Sequence, residues 1–199
     1  MKITVYCIGH LKENYWKMAI EEYAKRIRPY ASLEIVEVDD VPYKEGASPA
    51  IEEQVKNKEG EKVLSKLKPT DYLCALDLGK AEYDSPAFSK HLEKMLVQGG
   101  SNLSFVIGGS LGLSDALKQR ANEAITFSKM TFPHQMMRVI LLEQIYRAFK
   151  IARHEPYHKV SSHFQCNSRL SSKEKASAGV CHFRHFLGLL LSRTSFPSM

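Results

Sequence analysis

Three short segments place glycine, polar and basic side chains directly after apolar runs, where a chain can bring a ligand against its backbone. They are Asp77–Lys80 after Leu76, Gly108–Gly112 after Ile107, and Ser128–His134 after Phe127. In a parallel sheet, ligands collect beyond the carboxyl ends of the strands, because loops and helix N-termini converge there. Glycines in the second segment would admit a ligand close to the main chain and lead into a helix N-terminus.

Each of these segments also has a purely structural interpretation. A Gly-Gly-x-x-Gly turn commonly serves as a tight strand-to-helix connection, and Pro133 is typical of the first turn of a helix. The second segment matches neither G-x-G-x-x-G nor a G-K-[ST] phosphate loop, which argues against dinucleotide and nucleoside triphosphate binding.

Two alternating periodicities define the elements that must position these segments. Apolar runs bounded by polar residues or glycine predict strands at Ile3–Gly9, Leu33–Val38, Tyr72–Leu76, Leu103–Ile107 and Ala124–Phe127. Helical spacing predicts helices from Asn14 to just before Pro29 and at Pro49–Leu67, Ser85–Gln98, Ser114–Asn122 and His134–His154. In the second of these, Ile51, Val55, Val63 and Leu64 share one face of a solvent-facing amphipathic helix. Strands that alternate with helices indicate an α/β fold with a mostly parallel sheet and helices on both faces.

The helix predicted at His134–His154 is apolar around most of its circumference, from Met136 and Met137 through Leu141 and Leu142 to Ile151. A helix that is apolar on two sides needs two surfaces to pack against. One side can cover the sheet, and the other can cover either its copy in a homodimer or another element of the same chain. We expect the homodimer.

Composition excludes several classes of protein. A chain of 199 residues with 44% apolar side chains can form one globular domain, which excludes collagen-like, mucin-like and wholly disordered chains. No apolar run approaches the length of a membrane span or of a signal-peptide core, so we expect a cytoplasmic protein without a membrane segment. Cys7, Cys74, Cys166 and Cys181 show no zinc-finger or paired spacing, so we expect no metal and no disulfide framework, with Cys7 and Cys74 buried in strands.

The charge divides the chain near residue 159. The net charge is +6, and five of the 28 basic side chains but only one of the 22 acidic ones lie beyond that residue. This charge fits a polyanionic partner such as RNA and also fits many ordinary soluble proteins. Residues 160–199 are rich in serine and lack a clear period, so we expect a body at 1–159 and an appended, disordered tail.

The order of four motifs resembles one known family. They are V-I-G-G-S-L-G at 106–112, F-S-K-M-T-F-P-H-Q-M-M-R-V at 127–139, E-Q-I-Y-R-A-F-K-I at 143–151 and E-P-Y-H-K at 155–159, together with the start K-I-T-V-Y-C-I-G-H-L-K-E-N-Y-W-K. This is similar to the ribosomal large subunit methyltransferase H family, which are pseudouridine N3-methyltransferases of the SPOUT (α/β-knot) superfamily. The resemblance covers essentially all of residues 1–159.

The resemblance implies a C-terminal trefoil knot, a homodimer with its sites at the subunit interface, S-adenosylmethionine as cofactor, and 23S ribosomal RNA (helix 69) of the assembled ribosome as substrate. Carried over by position, the cofactor residues are Leu76, Gly108, Phe127, Ser128, Lys129, Met130, Thr131 and Phe132. Such knotted sites hold the methyl donor largely through backbone groups of loops, so glycine and leucine suit them. Family members end near the Tyr-His-Lys motif, whereas this chain continues for 40 residues that either swing away, crowd the RNA entrance or reflect an altered reading of the gene.

Methyl transfer to a ring nitrogen requires the acceptor to lose its N–H proton and to align with the donor. A base, or a cation that stabilises the resulting anion, would speed the transfer. The available groups are His134, Arg138, Arg147, Tyr157 and His158. We expect His158 as base or RNA-orienting group and Arg138 as phosphate or anion stabiliser. Arg138 and Arg147 are nine residues apart and fall on opposite faces of one helix, so a dimer interface would have to bring one from each subunit. The structural alternatives are an Arg147–Glu143 surface pair and a helix-capping His134.

Two alternatives to this enzyme remain open. A non-catalytic ribosome- or RNA-binding module would share the fold and charge, but it would not need a cofactor cradle at Gly108 and Phe127–Phe132. A doubly wound enzyme that uses a flavin or nucleotide would need a phosphate-binding fingerprint, which the sequence lacks.

Overall fold

The computed structural model describes residues 1–100 and 102–157. These residues belong to the first of the two units into which the chain divides, Met1–His158 and Lys159–Met199. The expectations for His158 and for a disordered tail at 160–199 concern positions outside the described residues and stay predictions.

Five strands and five helices alternate along the described chain. The strands are β1 (Lys2–Ile8), β2 (Ser32–Val38), β3 (Tyr72–Glu82), β4 (Asn102–Ile107) and β5 (Glu123–Thr126). The helices are α1 (Asn14–Ile27), α2 (Pro49–Leu64), α3 (Ser85–Gln98), α4 (Asp115–Arg120) and α5 (His134–Ala152). Every predicted element is present, so the two alternating periodicities predicted the order of strands and helices correctly.

All strand pairs in the sheet are parallel, in the order β2-β1-β4-β3-β5. Alternate residues of each strand point to opposite faces, so β1 sends Ile3, Val5 and Cys7 to one core and Tyr6 and Ile8 to the other. The first core is closed by α1, α3 and α5, and the second by α2 and α4. The predicted α/β fold with helices on both faces is confirmed.

Two local predictions were wrong in detail. Strand β3 does not end at Leu76, because Leu76 and Ala81 both align with Ile125 of β5 and the residues between them bulge out of the ladder. The α2 helix ends at Leu64, and its buried face carries Val55, Glu59, Gly60 and Val63, while Ile51 is exposed. Gly60 is needed there, since a Cβ at that position would lie 2.1 Å from the Ser114 hydroxyl at the start of α4.

Helix α5 meets partners on more than one side within the chain. Leu141, Leu142, Ile145 and Ala148 are buried in the first core, in which residues of α1 and α3 also take part. Met136 remains exposed at the N-terminal end of the helix. Part of the second apolar side of the helix is therefore covered by the same chain, as the alternative interpretation held, and the homodimer stays a prediction.

The strand cysteines are free thiols in the first core, as expected. Cys7 of β1 and Cys74 of β3 are completely buried. Burial raises the pKa of Cys7 to about 12 and raises that of Cys74 further, so both sulfurs carry their protons at neutral pH. Among the described residues, no helix is long and apolar enough to span a membrane.

Candidate active site

The carboxyl ends of β3, β4 and β5 surround a cavity of about 710 Å³, a size typical of small-molecule sites. Its walls are the bulge of β3 at Leu76–Leu78, the segment Ile107–Leu113 after β4, and Ile125–Phe127 with Met130–His134 after β5. All three segments that the sequence analysis singled out therefore meet at one place. The cavity lies where a parallel sheet places its ligands.

The glycine segment after β4 folds into a tight turn that leaves no room for a side chain at Gly108. Gly109 and Gly112 pair as an isolated bridge, with the Gly112 N–H donating to the Gly109 carbonyl at 3.1 Å and Gly112 at φ +87°. A Cβ on Gly108 would lie 2.7 Å from the Gly112 carbonyl carbon, so any other residue at 108 would force the turn apart. The main chain of this turn forms one wall of the cavity.

The segment after β5 is shaped by its own polar side chains. The Thr126 hydroxyl donates to the Ser128 carbonyl at 2.8 Å, and the Met130 N–H donates to the Ser128 hydroxyl at 2.9 Å. Phe127 packs edge-to-face on Phe88 of α3, which anchors the start of the segment. Six of the eight predicted cofactor residues line the cavity: Leu76, Gly108, Phe127, Met130, Thr131 and Phe132. Ser128 shapes the turn without lining the cavity, and Lys129 is exposed outside the lining.

Of the predicted catalytic residues that the structure describes, His134 alone lies in the cavity lining. It begins α5, half-buried, and its Nε2 lies 3.7 Å from where a Cβ of Gly9 would be. Burial and then the positive charge of Arg138 lower the pKa of His134, an effect that Lys12 reinforces and Asp40 opposes. The imidazole is therefore neutral at pH 7 and has a nitrogen able to accept a proton.

Arg138 lies one turn along α5 but does not line the cavity. Its side chain is 1% exposed and donates to Glu37 Oε1 at 2.6 Å, to the Gly9 carbonyl at 2.8 Å and to the Ile8 carbonyl at 3.1 Å. Its Nε has no partner among the described residues. Glu37 also accepts hydrogen bonds from His10 and from the Leu11 amide. The guanidinium therefore joins α5 to the ends of β1 and β2, and the described residues enclose it almost completely.

Arg147 and Tyr157 lie together at the opposite end of α5. Arg147 pairs with Glu143, as the structural alternative held, and its guanidinium stacks 4.9 Å from the Tyr157 ring centre. The Tyr157 hydroxyl donates to Glu143 at 3.2 Å. Thirteen residues separate His134 from Arg147, which is about 20 Å along a helix. The structure thus does not bring the predicted catalytic residues together within one chain, and His158 lies outside the described residues.

Sequence reasoning missed two lysines at the rim of the cavity. Lys118 of α4 pairs with Asp77 at 3.3 Å, and Lys56 reaches the cavity from α2. The signal for Lys118 was its place one turn after Ser114, the N-cap of the helix that follows the glycine turn. No pattern in α2 marked Lys56.

We expect the NMR titration midpoint of His134 to lie below the ordinary histidine value of 6.5, because burial and Arg138 disfavour its charged form. His10 is the matched control, since hydrogen bonds to Asp39 and Glu37 raise its pKa. The folded state binds the His134 proton more weakly than the unfolded chain does. The lowered pKa of His134 therefore adds to the free energy of unfolding in full above pH 6.5. This contribution is lost as the pH falls through the pKa of His134 in the folded state. A His134 midpoint at or above that of His10 would contradict the site described above.

The fold and the cavity define a class of protein. It is a parallel α/β domain with a cavity for a small ligand, placed against a glycine turn at the carboxyl ends of the strands. The chain belongs to the SPOUT methyltransferase family, whose sequence model, described as a predicted SPOUT methyltransferase, matches residues 1–158. Membership of this family implies the C-terminal trefoil knot.

Two bacterial relatives extend this comparison over their entire length. A protein named Ribosomal RNA large subunit methyltransferase H from Clostridium acetobutylicum is 52% identical over 159 residues, covering 80% of this chain and 100% of the relative. A protein of the same name from Clostridium perfringens is 53% identical over 159 residues, with the same coverage.

Proposed function

We propose that this protein is an S-adenosylmethionine-dependent methyltransferase that methylates N3 of a pseudouridine in helix 69 of 23S ribosomal RNA, in the assembled ribosome. The observation that carries the proposal is the cavity at the carboxyl ends of β3, β4 and β5, with its glycine turn and the segment after β5. The names of the two relatives support ribosomal RNA as substrate. A ribosomal substrate also fits a cytoplasmic protein.

The cavity fits the proposed methyl donor. The residues of the glycine turn line the cavity, and a Cβ at Gly108 would clash with Gly112, so the turn keeps its main chain along one wall of the site. We assign Leu76, Gly108 and the segment Phe127–Phe132 to the donor site, with Ser128 holding the shape of the segment and Lys129 at its outer side. When bound, S-adenosylmethionine supplies an electrophilic methyl group on sulfur.

The chain must supply the proton acceptor and the orientation of the RNA base. His134 is neutral and lies in the cavity lining, so it is placed to take the N3 proton of the acceptor base. Arg138 acts through other residues, because its guanidinium fixes the start of α5 to β1 and β2 and lowers the pKa of His134. We therefore assign Arg138 as a positioning residue in place of the anion stabiliser expected from sequence.

The remaining catalytic candidates require a second copy of the chain. Arg147 and Tyr157 lie about 20 Å along α5 from His134, so they can serve a donor cavity only when a partner subunit presents them. Apolar side chains are exposed near the N-terminal ends of α1 and α5 at Tyr15, Met18 and Met136, with Met18 68% exposed. A homodimer formed over these helices would bury them and would bring Arg147, Tyr157 and His158 of one subunit to the cavity of the other. Their roles would be to stabilise the acceptor anion and to orient the RNA.

Two measurements test the proposed function. Calorimetry on the full chain is expected to show one donor bound per chain, for both S-adenosylmethionine and its demethylated product. Mass spectrometry of 23S ribosomal RNA from cells lacking the gene is expected to show one pseudouridine without its N3 methyl group. RNA binding without donor binding would establish the non-catalytic alternative. Persistence of the methyl mark in the deletion strain would refute the assigned substrate.

A further inference from the structure

A second cavity, of about 490 Å³, lies at the amino ends of the strands, so it is separate from the donor cavity. Its floor is the face of the sheet on which α2 packs, at the first residues of β2, β1 and β4. Thr4, Glu34 and Ser104 are register partners in adjacent strands, so their side chains form one row across this floor. From Thr4 to Ile8, at the carboxyl end of β1, the chain runs about 13 Å.

Two hydroxyl groups on the floor lack partners among the described residues. Thr4 is 7% exposed and Ser104 3% exposed, and neither side chain makes a hydrogen bond there. Both line the cavity. A hydroxyl can donate one hydrogen bond and accept two. These hydroxyls are thus donors and acceptors available to a polar ligand.

The rim of this second cavity carries a positive excess. Lys2, Lys66 and Lys68 line it against two carboxylates, Glu34 and Asp71. Glu34 is neutralised by Lys2 at 2.7 Å, and one oxygen of Asp71 accepts the Lys68 N–H at 3.1 Å. Lys66 and Lys68 form no ion pair among the described residues. Two ammonium groups are therefore available to an anion.

The lysine-bearing loop is held in place before any ligand arrives. Arg120 at the end of α4 donates to the carbonyls of Lys68, Pro69 and Asp71, at 3.1, 3.2 and 2.9 Å. The Tyr6 hydroxyl donates to the Lys66 carbonyl at 3.3 Å. A preformed site loses less conformational freedom on binding.

We propose that this second cavity binds a phosphorylated ribose of an RNA strand, with the phosphate on Lys66 and Lys68 and the ribose 2′-hydroxyl on Thr4 and Ser104. The ammonium groups match a phosphate, and hydroxyls beside a carboxylate match a sugar that both donates and accepts hydrogen bonds. The inference rests on the proposed function only for the source of the sugar phosphate, namely RNA. It adds an RNA contact remote from the point of methylation.

The first arm of the test uses ribose 5-phosphate and the ¹⁵N-labelled full chain without a tag, since Lys2 lies beside the N-terminus. Saturable shifts are expected at the amides of Thr4 and Ser104, with those of Gly108 and Gly109 unchanged. The double variant Lys66→Gln/Lys68→Gln is expected to weaken binding about tenfold. Lys90→Gln/Lys94→Gln on α3, two exposed lysines without ion pairs among the described residues, is the charge-matched control. Ser104→Ala removes no hydrogen bond among the described residues. It is expected to lower the affinity for ribose 5-phosphate about threefold.

The second arm measures the affinity for a single-stranded RNA oligonucleotide at several salt concentrations. The Lys66/Lys68 double variant is expected to lower the RNA affinity and to reduce the salt slope by about 1 to 2, with donor affinity by calorimetry unchanged. Absence of donor binding would refute the proposed function while the shifts at Thr4 and Ser104 still support this cavity. Ribose 5-phosphate binding with unaltered RNA affinity would overturn the RNA assignment. Absence of shifts, with both lysine pairs behaving alike, would overturn the proposal.

Discussion

A heterodimer of two inactive variants, one carrying Gly108→Ala and the other Arg147→Ala, is expected to recover about half of the wild-type methylation rate. Gly108→Ala disrupts the glycine turn that forms one wall of the donor cavity, because its Cβ would lie 2.7 Å from the Gly112 carbonyl carbon. Arg147→Ala removes the cation that we propose stabilises the acceptor anion. In the heterodimer, one of the two sites combines an intact cavity with an intact Arg147, and the other site carries both defects. Co-expression with two different tags and tandem purification isolates this species for the rate measurement.

The control is a heterodimer of the Gly108→Ala chain and a chain that carries both substitutions. Neither of its two sites has an intact cavity. It is expected to show no methylation. Recovery of the intended heterodimer without activity would show that Arg147 serves the cavity of its own chain. An Arg147→Ala homodimer with normal activity would show that Arg147 serves no site. Failure of tandem purification to recover any heterodimer would show that the chain does not dimerise. The homodimer and the shared site are thus tested separately.

The second large effect concerns stability. We expect Arg138→Met to lower the free energy of unfolding by about 3 kcal/mol, since it removes the Arg138 donors from the Ile8 and Gly9 carbonyls and one of the two donors to Glu37 Oε1. Glu37 retains His10 and the Leu11 amide, which keeps the loss below that of a fully isolated buried charge. Urea denaturation measures the change.

Arg147→Met on the same helix is the matched control. Its pair with Glu143 is partly solvent-exposed, so the expected loss is about 1 kcal/mol or less. Equal losses for the two variants would contradict the positioning role of Arg138. A stable Arg138→Met protein with normal donor binding and no methylation would return Arg138 to the reacting groups.

Much of the fold follows from local pattern. Strands such as Leu103–Ile107 are short, apolar and bounded by polar residues or glycine, and Pro29 marks the end of α1 because proline breaks a helix. The errors came from tertiary contacts. The face of α2 was misjudged because Gly60 and Glu59 are buried by Ser114 and the Val41 amide, and both of these are distant in the chain.

The site was predictable where geometry follows from topology. Parallel strands bring their carboxyl ends to one edge, so three segments far apart in sequence were expected to meet, and they do. The placement of the charged candidates was not predictable. The sequence pattern of α5 does not distinguish an arginine that faces solvent from one that is buried against Glu37 and the Ile8 and Gly9 carbonyls. Only the fold shows that Arg138 is the buried one.

The second cavity left a trace in the sequence that pattern analysis passed over. Lys2, Thr4 and Tyr6 alternate with Ile3, Val5 and Cys7, so one face of β1 is polar at its start. In a parallel sheet covered on both faces, such a polar row indicates a place where the covering helix does not reach.

The folded sheet protects its two strand cysteines from chemical attack. Because Cys7 and Cys74 are protonated and completely enclosed, peroxide and alkylating reagents can reach them only when the central strands separate. The rate at which iodoacetamide alkylates these two sulfurs in the native protein therefore measures how often the sheet opens. With donor present, we expect this alkylation rate to fall by the factor by which donor binding stabilises the folded chain.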